Sequence, residues 1–151
     1  MRIHVAALSL ILVAGVAHAR VWGDGSFEND DAIDWAVECT SAKSIGPISR
    51  ALSIASKGKS IEAADGSAAV AAAEVVAAAL GHPGPKMPKQ LRDWMNRQSS
   101  EQLIALAPSA RAALVRVANP EISELAQLWS EGKPGKWQES IADLQARLQQ
   151  Q

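Results

Sequence analysis

Apolar residues recur at the spacing of a helix surface along most of this chain, and the strict alternation typical of strands is nearly absent. The clearest stripe follows Asp30, where positions i, i+3, i+4 and i+7 are Ala32, Trp35, Ala36 and Cys39, with Ile33 and Val37 widening the apolar face. Shorter stripes of the same period follow in the C-terminal half. The pattern predicts an all-α domain, a compact bundle of about seven to eight short helices.

Capping and loop residues predict where several of these helices begin and end. Asn29 and Asp30 precede the first helix, and Pro47 opens a second helix that ends near Lys57. The sequence Asn119-Pro120-Glu121 predicts the start of a later helix, with the asparagine as its cap. A Gly-Lys-Pro-Gly turn precedes the last helix, whose stripe is Trp137, Ile141, Leu144 and Leu148.

An alanine-rich segment in the middle of the chain predicts the central helix of the bundle. It runs from about Ala68 to Leu80, ends at Gly81, and follows a polar, Gly-containing loop over 56–67. Glu74 is flanked by apolar residues on both sides within this segment. A buried carboxylate must be ion-paired or hydrogen-bonded, so we expect a Trp indole, a backbone N–H near the Gly-rich N-terminus, or an Arg to contact it.

The first nineteen residues have the pattern of a signal peptide. Arg2 is followed by an uncharged stretch from Val5 to Val16, and Ala17-His18-Ala19 is the small-x-small pattern cut by signal peptidases. The apolar stretch is shorter than the roughly 20 residues that span a bilayer. We therefore expect an exported protein, periplasmic or secreted, with a single domain over 20–148, a disordered tail over 149–151 and no membrane span after cleavage.

Charge and composition disfavour several classes of function. Loss of Arg2 with the signal peptide leaves fourteen Lys and Arg against sixteen Asp and Glu, a net charge of −2. This balance offers no positive field for nucleic acid or anionic lipid, and the few aromatic rings lie in apolar patterns. We expect no nucleic-acid partner.

Residues that bind metals are scarce in the mature chain. One Cys, Cys39, lies in an apolar helical stripe, and one His, His82, lies in the proline-rich loop over 82–88. A zinc site would need carboxylates for most of its ligands, which is uncommon. We expect a buried structural Cys39, a solvated His82, no cofactor and no metal.

Charged residues of the first two helices are segregated by sign. Residues 21–42 hold six acids and no Lys or Arg, whereas residues 43–59 hold four cations and no acid. If the two helices form a hairpin, the blocks neutralise each other across it, at little energy per exposed pair. The alternative is an acidic surface left free for a cationic partner.

The segment over 21–35 carries the most specific motif of the chain. Trp-Gly-x-Gly-x-Phe-x-Asn-Asp-x-Ala-x-Asp-Trp is formed by Trp22, Gly23, Gly25, Phe27, Asn29, Asp30, Ala32, Asp34 and Trp35. The segment resembles the domain of unknown function 4259 family, and the similarity extends through Ala72-Ala73-Glu74-Val75-Val76 and the Trp-containing C-terminal helices. The resemblance implies a compact helical domain of unassigned activity, with no catalytic or binding residues to carry over. The glycines themselves indicate a tight, irregular backbone before the first helix.

Three functions remain open from the sequence. The favoured one is a non-catalytic interaction, inhibitor or scaffold module acting on another envelope protein, in which Glu74 fastens the N-terminal motif to the central helix. The second is a hydrolase that pairs Glu74 with Asp30, Asp31 or Asp34 across a cleft. The third is divalent-metal binding by Asp31, Asp34 and Glu38, which share one helix face.

Overall fold

A computed structural model describes residues 23–132 and 135–150. These residues form eight α-helices: α1 (Asp30–Ser41), α2 (Gly46–Lys57), α3 (Ala63–Ala79), α4 (Lys89–Met95), α5 (Ser100–Ile104), α6 (Ala107–Val117), α7 (Glu124–Glu131) and α8 (Lys136–Arg147). The described part has no strand, and its sheet-like pairing is an isolated parallel bridge between Ile61 and Ser123. The predicted all-α bundle is confirmed. The signal peptide, the expected start at Arg20, Trp22 and Gln151 lie outside the described residues.

The alanine-rich helix α3 is the centre of the bundle, as predicted. Every residue from Ala69 to Ala77 is buried, and all seven other helices lie against α3 or against helices that contact it. Alanine and valine side chains let the surrounding helices approach closely on all sides, which explains why α3 has no polar face. A carboxylate in this helix is therefore inside the core.

Helix α1 is capped as expected, but its buried face is narrower than the apolar face that the sequence pattern predicts. The Asn29 side chain accepts a hydrogen bond from the Ala32 N–H at 2.8 Å. Ala32, Ala36 and Cys39 are buried, whereas Ile33 and Val37 are 40% and 63% exposed. The prediction that these two widen the buried face is wrong, because α1 contacts the core through one narrow stripe.

Helix α3 begins five residues before the predicted start, at Ala63 rather than Ala68. The reason is tertiary. Ile61 exchanges backbone hydrogen bonds with Ile122 and Glu124, and the Glu124 side chain accepts from the Ala63 N–H at 3.1 Å. A distant residue thus caps a helix start that has no capping side chain of its own.

The predicted helix start at Asn119 is also displaced. The Asn119 side chain accepts from the Glu121 N–H at 2.9 Å, which forms a local turn. Helix α7 begins at Glu124, with Ser123 as its cap. Residues before Ser123 cannot join the helix because Ile122 pairs with Ile61.

The C-terminal helix α8 matches its predicted stripe. Trp137, Ile141, Leu144 and Leu148 are all buried, and Trp137 stacks on Trp129 of α7 with ring centroids 6.2 Å apart. This packing fixes α8 against α3 and α6 and directs Arg147, in its last turn, toward the middle of α3. Among the described residues, no helix is both long enough and apolar enough to cross a membrane.

Candidate functional site

The Glu74 carboxylate is paired with an arginine that comes from the other end of the chain. Arg147 donates from its two terminal nitrogens to the two carboxylate oxygens, each at 2.8 Å. The side chains are only 4% and 13% exposed. A parallel two-bond fork of this kind is the strongest geometry available to a carboxylate and a guanidinium.

The second partner of Glu74 is Ser26, in the Gly-rich loop over 23–29. Ser26 donates its hydroxyl hydrogen to the carboxylate at 2.8 Å. The loop is closed by its own backbone: Gly23 donates to the Glu28 carbonyl at 3.1 Å and Glu28 donates to the Gly25 carbonyl at 3.0 Å. Phe27, in the same loop, is 6% exposed and belongs to the core. The loop is therefore fastened by one apolar and one polar anchor.

Arg147 has two further acceptors. It donates to the His82 carbonyl at 3.1 Å and to Asp143, four residues earlier on α8, at 2.8 Å. Its hydrogen bond to Glu74, followed by the attraction of both acids, raises the pKa of Arg147 above its ordinary value despite burial. The guanidinium joins α3, α8 and the loop that follows α3.

The loop that follows α3 approaches the Glu74–Arg147 pair closely because the chain turns sharply at Gly81, just after the helix ends. Gly81 has φ of +91°, and the N–H groups of Gly81 and His82 bond to the Ala78 and Ala77 carbonyls in a Schellman motif. The chain then passes so near that a Cβ on Gly84 would lie 2.5 Å from a Glu74 oxygen and 3.0 Å from Arg147. Any side chain at this position would therefore require the ion pair or the loop to move.

A second ion pair holds the Gly-rich loop over 23–29 on its outer side. Glu28 contacts Lys86 and also accepts from the Gly25 N–H at 2.9 Å. The hydrogen bond from Lys86, helped by that from Gly25, lowers the pKa of Glu28 below its usual range. Lys86 in turn has its pKa raised by the same hydrogen bond.

These groups surround a polar cleft of about 210 Å³. Its walls come from the Gly-rich loop, from Pro85 and Lys86, and from one side of α8 that includes Ser140. The acids that line it are Asp24, Glu28, Glu74 and Asp143, and the cations are Lys86 and Arg147. The cleft is therefore two charges more acidic than basic.

The acids of helix α1 proposed from the sequence lie elsewhere. Asp30 and Asp34 are exposed on α1, Asp31 is partly buried there, and none of the three lines the cleft that holds Glu74. Trp35 is partly buried and packs against the core. Of the other motif residues, Asn29 caps α1, Gly23, Gly25 and Phe27 form the loop, and Trp22 lies outside the described residues.

Metal binding finds no support among the residues described. No three His, Cys, Asp or Glu side chains in that part of the chain are grouped so that they could hold a metal ion. Asp31, Asp34 and Glu38, although on one helix, are not such a group. Cys39 is buried, as predicted, and burial raises the pKa of its thiol to about 12.

The sequence pattern alone does not indicate that Arg147, Ser26 or Lys86 is part of the site. An arginine was among the expected partners of Glu74, but nothing distinguished Arg147 from the other cations. The one local signal was Asp143, placed four residues before it on the same helix. Ser26 stands inside the motif at a position where the family pattern accepts any residue.

The family comparison agrees with the motif. The model described as Domain of unknown function (DUF4259) matches residues 21–140. This match covers most of the chain, and the protein belongs to that family. No curated protein and no solved structure matches it.

Proposed function

We propose that this member of the DUF4259 family is a non-catalytic interaction module of the cell envelope, whose cleft beside the Gly-rich loop receives part of a partner protein. The observation that carries the proposal is the engagement of both Glu74 oxygens by Arg147, with Ser26 as a third donor. A scaffold or inhibitor needs a rigid recognition surface, and this network fixes the loop on the core.

The same contacts argue against a proton-transfer role for Glu74. A general base must have a lone pair within reach of the substrate proton. Here three of the roughly four acceptor sites of the carboxylate are taken by a buried guanidinium and by a hydroxyl of the protein itself. Catalysis would require breaking a two-bond ion pair in a site that is nearly sealed from solvent.

The cleft suggests the chemistry of the segment that it receives. Its volume of about 210 Å³ accommodates one or two side chains rather than a large ligand. Its excess of acids favours a Lys or Arg side chain of the partner. Lys86, with its side chain 66% exposed at the rim, is placed to interact with an acid beside that side chain.

The experiment fills the cleft without removing any bond of the network. Ser140 lines the cleft on α8, and Ser140→Arg would place a long side chain in it. Ala142, exposed on the same helix and outside the cleft, gives the matched control Ala142→Arg. We expect the natural protein and Ala142→Arg to retain a partner from envelope extract, identified by mass spectrometry after cross-linking, and Ser140→Arg to lose it.

Two results would overturn this proposal. If no partner is retained by the natural protein under gentle conditions, the domain is not an interaction module of the envelope. If Ser140→Arg retains the same partner as well as the control does, another surface binds it. Both variants must first show the same thermal unfolding midpoint as the natural protein.

The carboxylate-hydrolase hypothesis makes the opposite prediction for Glu74→Gln. An enzyme would keep its fold and lose turnover of a hydrolysable substrate panel, whereas a scaffold would lose stability. A variant that is fully stable but inactive would establish the hydrolase.

Export is a separate part of the proposal and depends on residues 1–19. We expect the tagged protein to accumulate in the periplasm or medium with Arg20 as its first residue. Replacing Ala17 and Ala19 by bulky residues should block cleavage, which N-terminal sequencing would detect. A cytoplasmic protein that begins at Met1 would contradict this part without affecting the cleft.

A further inference from the structure

The outward face of α1 combines an acidic row with an apolar row. Asp30, Asp34 and Glu38 are exposed at i, i+4 and i+8. Ile33 and Val37, at i and i+4, are 40% and 63% exposed beside them. Large apolar side chains that stay in contact with water on one helix face are typical of a surface that another protein covers.

The outward face of α2 carries positive charge, opposite in sign to the outward face of α1. Arg50, Ile54 and Lys57 are exposed at i, i+4 and i+7, so two cations flank one apolar side chain that is 41% exposed. Lys43 before the helix and Lys59 after it add to the same sign. This face is a basic stripe with an apolar residue at its centre.

Within one molecule these two faces do not neutralise each other by contact. The ion pairs of the described residues join Lys86 to Glu28, Lys89 to Asp93, and Arg147 to Glu74 and Asp143. None of them joins α1 to α2. A groove of about 150 Å³ lies between α1, α2 and α3 instead. Its charged lining residues are Glu38, Asp65 and Arg50, and Trp35, Ile54 and Ala68 are among its apolar ones.

We propose that a second copy of this chain docks on the face formed by α1 and α2. In a two-fold arrangement, α1 of one copy lies on α2 of the other, and each contact is made twice. Asp34 and Glu38 then meet Arg50 and Lys57, and Ile33 and Val37 meet Ile54. The groove, which Ile54 itself lines, lies beside this contact.

A second copy accounts for more of the surface than a foreign basic segment does. A basic partner would cover the acidic row of α1 but would be repelled by Arg50 and Lys57 of the adjacent helix. Self-association uses both charge blocks and the three large apolar residues that are exposed on α1 and α2. It also uses a surface other than the cleft around Glu74, so it stands independently of the proposed function.

Sedimentation velocity on the purified full protein tests this proposal over about 5 to about 200 µM. We expect a concentration-dependent monomer–dimer equilibrium that weakens between about 50 mM and about 500 mM salt, because exposed charges are screened. Asp34→Lys and Arg50→Glu should each weaken dimerisation by about tenfold or more, since each change is repeated across the two-fold axis.

The decisive variant carries both changes. In the double variant, Lys at 34 of one copy faces Glu at 50 of the other, and we expect dimerisation to recover to within about threefold of the natural protein. Glu131→Lys, a charge reversal at an exposed acid of α7, is the matched control and should leave the equilibrium unchanged. Circular dichroism verifies that every variant is folded.

Four results would overturn the proposal. The protein could remain a monomer at every concentration at low salt. A dimer could form that neither single variant weakens. The double variant could fail to restore dimerisation. A monomer that binds a basic amphipathic peptide, with loss of binding in Asp34→Lys, would identify a foreign partner as the occupant instead.

Discussion

At the scale of single residues, the energetics of the site depend on the burial of Glu74 and Arg147 together. An ion pair taken out of water gains little over an apolar pair, because desolvation of two charges offsets their attraction. Removal of one partner is different, since it leaves the other charge buried without compensation. The fold is therefore sensitive to either side chain alone.

Glu74→Gln tests this dependence. Arg147 would keep its burial and lose its buried charged partner, so we expect a loss of about 3 kcal/mol in the free energy of unfolding, measured with urea. Asp143→Asn removes the other acid that contacts Arg147, but the Asp143 side chain is 64% exposed. That control should change stability by less than about 1 kcal/mol. Equal losses in the two variants would contradict the central role of Glu74.

Gly84→Ala probes the close approach of the loop to the ion pair. The added methyl group would lie 2.5 Å from a Glu74 oxygen, so either the loop or the pair must move. We expect a destabilisation of about 1–3 kcal/mol, seen as a lower thermal midpoint. Gly46→Ala is the control, because its nearest neighbour would be the Ser44 hydroxyl at 3.4 Å. A Gly84→Ala protein as stable as the control would show that the Glu74 and Arg147 side chains can move away from residue 84 without loss of stability.

Because Cys39 is buried, the free energy of unfolding should decrease as the pH becomes alkaline. Burial raises its thiol pKa from 9.0 to about 12, so the unfolded chain loses this proton first. The contribution of the thiol is complete below pH 9 and declines as the pH rises from 9 toward 12. We expect alkylation to be slow in native protein at neutral pH and fast in urea. Rapid native labelling would mean that Cys39 is accessible.

At the scale of helices, the start of α3 depends on α7. Glu124 lies in the first turn of α7 and accepts from the Ala63 N–H, while Ile61 and Ser123 form the bridge beside it. Two helix starts are thus joined side by side. This contact between α3 and α7 explains why residues 63–67, which have the composition of a loop, are helical and extend α3.

Glu124→Ala should loosen the first turn of α3. Loss of a capping acceptor costs about 0.5–2 kcal/mol, and the amides of residues 63–66 should exchange with solvent faster. Hydrogen-exchange mass spectrometry measures this directly. Glu121→Ala, which removes an exposed acid from the neighbouring turn, should leave those amides protected. Unchanged exchange in Glu124→Ala would show that the bridge alone holds the helix start.

At the scale of the whole molecule, one network joins the two ends of the described chain. Ser26 in the first loop, Glu74 in α3 and Arg147 at the end of α8 share hydrogen bonds. Chain ends that would otherwise fray are thereby fixed to the central helix.

Arg147→Gln should free the N-terminal loop more than it disturbs the rest of the bundle. We expect a nonspecific protease to cut residues 23–28 faster in this variant, with the fragments mapped by mass spectrometry. Arg111→Gln removes another arginine that holds the end of α8, through its bond to the Leu148 carbonyl at 2.9 Å. If both variants are cut at the loop at equal rates, the effect comes from α8 fraying and not from the Glu74 pair.

The sequence by itself determined those features that depend on neighbours along the chain. Helical periodicity, the Asn29 cap and the Gly81 terminus are set by contacts a few residues apart, so the all-α class, the second helix and the buried stripe of α8 were predictable. The motif over 22–35 likewise indicated the family. Glu74 stood out because a lone carboxylate among alanines must find a partner.

Tertiary structure alone decided what depends on distant residues. Glu124 extends α3 to Ala63, Ile61 holds Ile122 out of α7, and the position of α3 leaves Ile33 and Val37 on the surface. The partner of Glu74 comes from 73 residues away along the chain, a separation at which no local pattern indicates contact. Folding brings such residues together through the packing of whole helices, and that packing is encoded by the core rather than by the residues of the site.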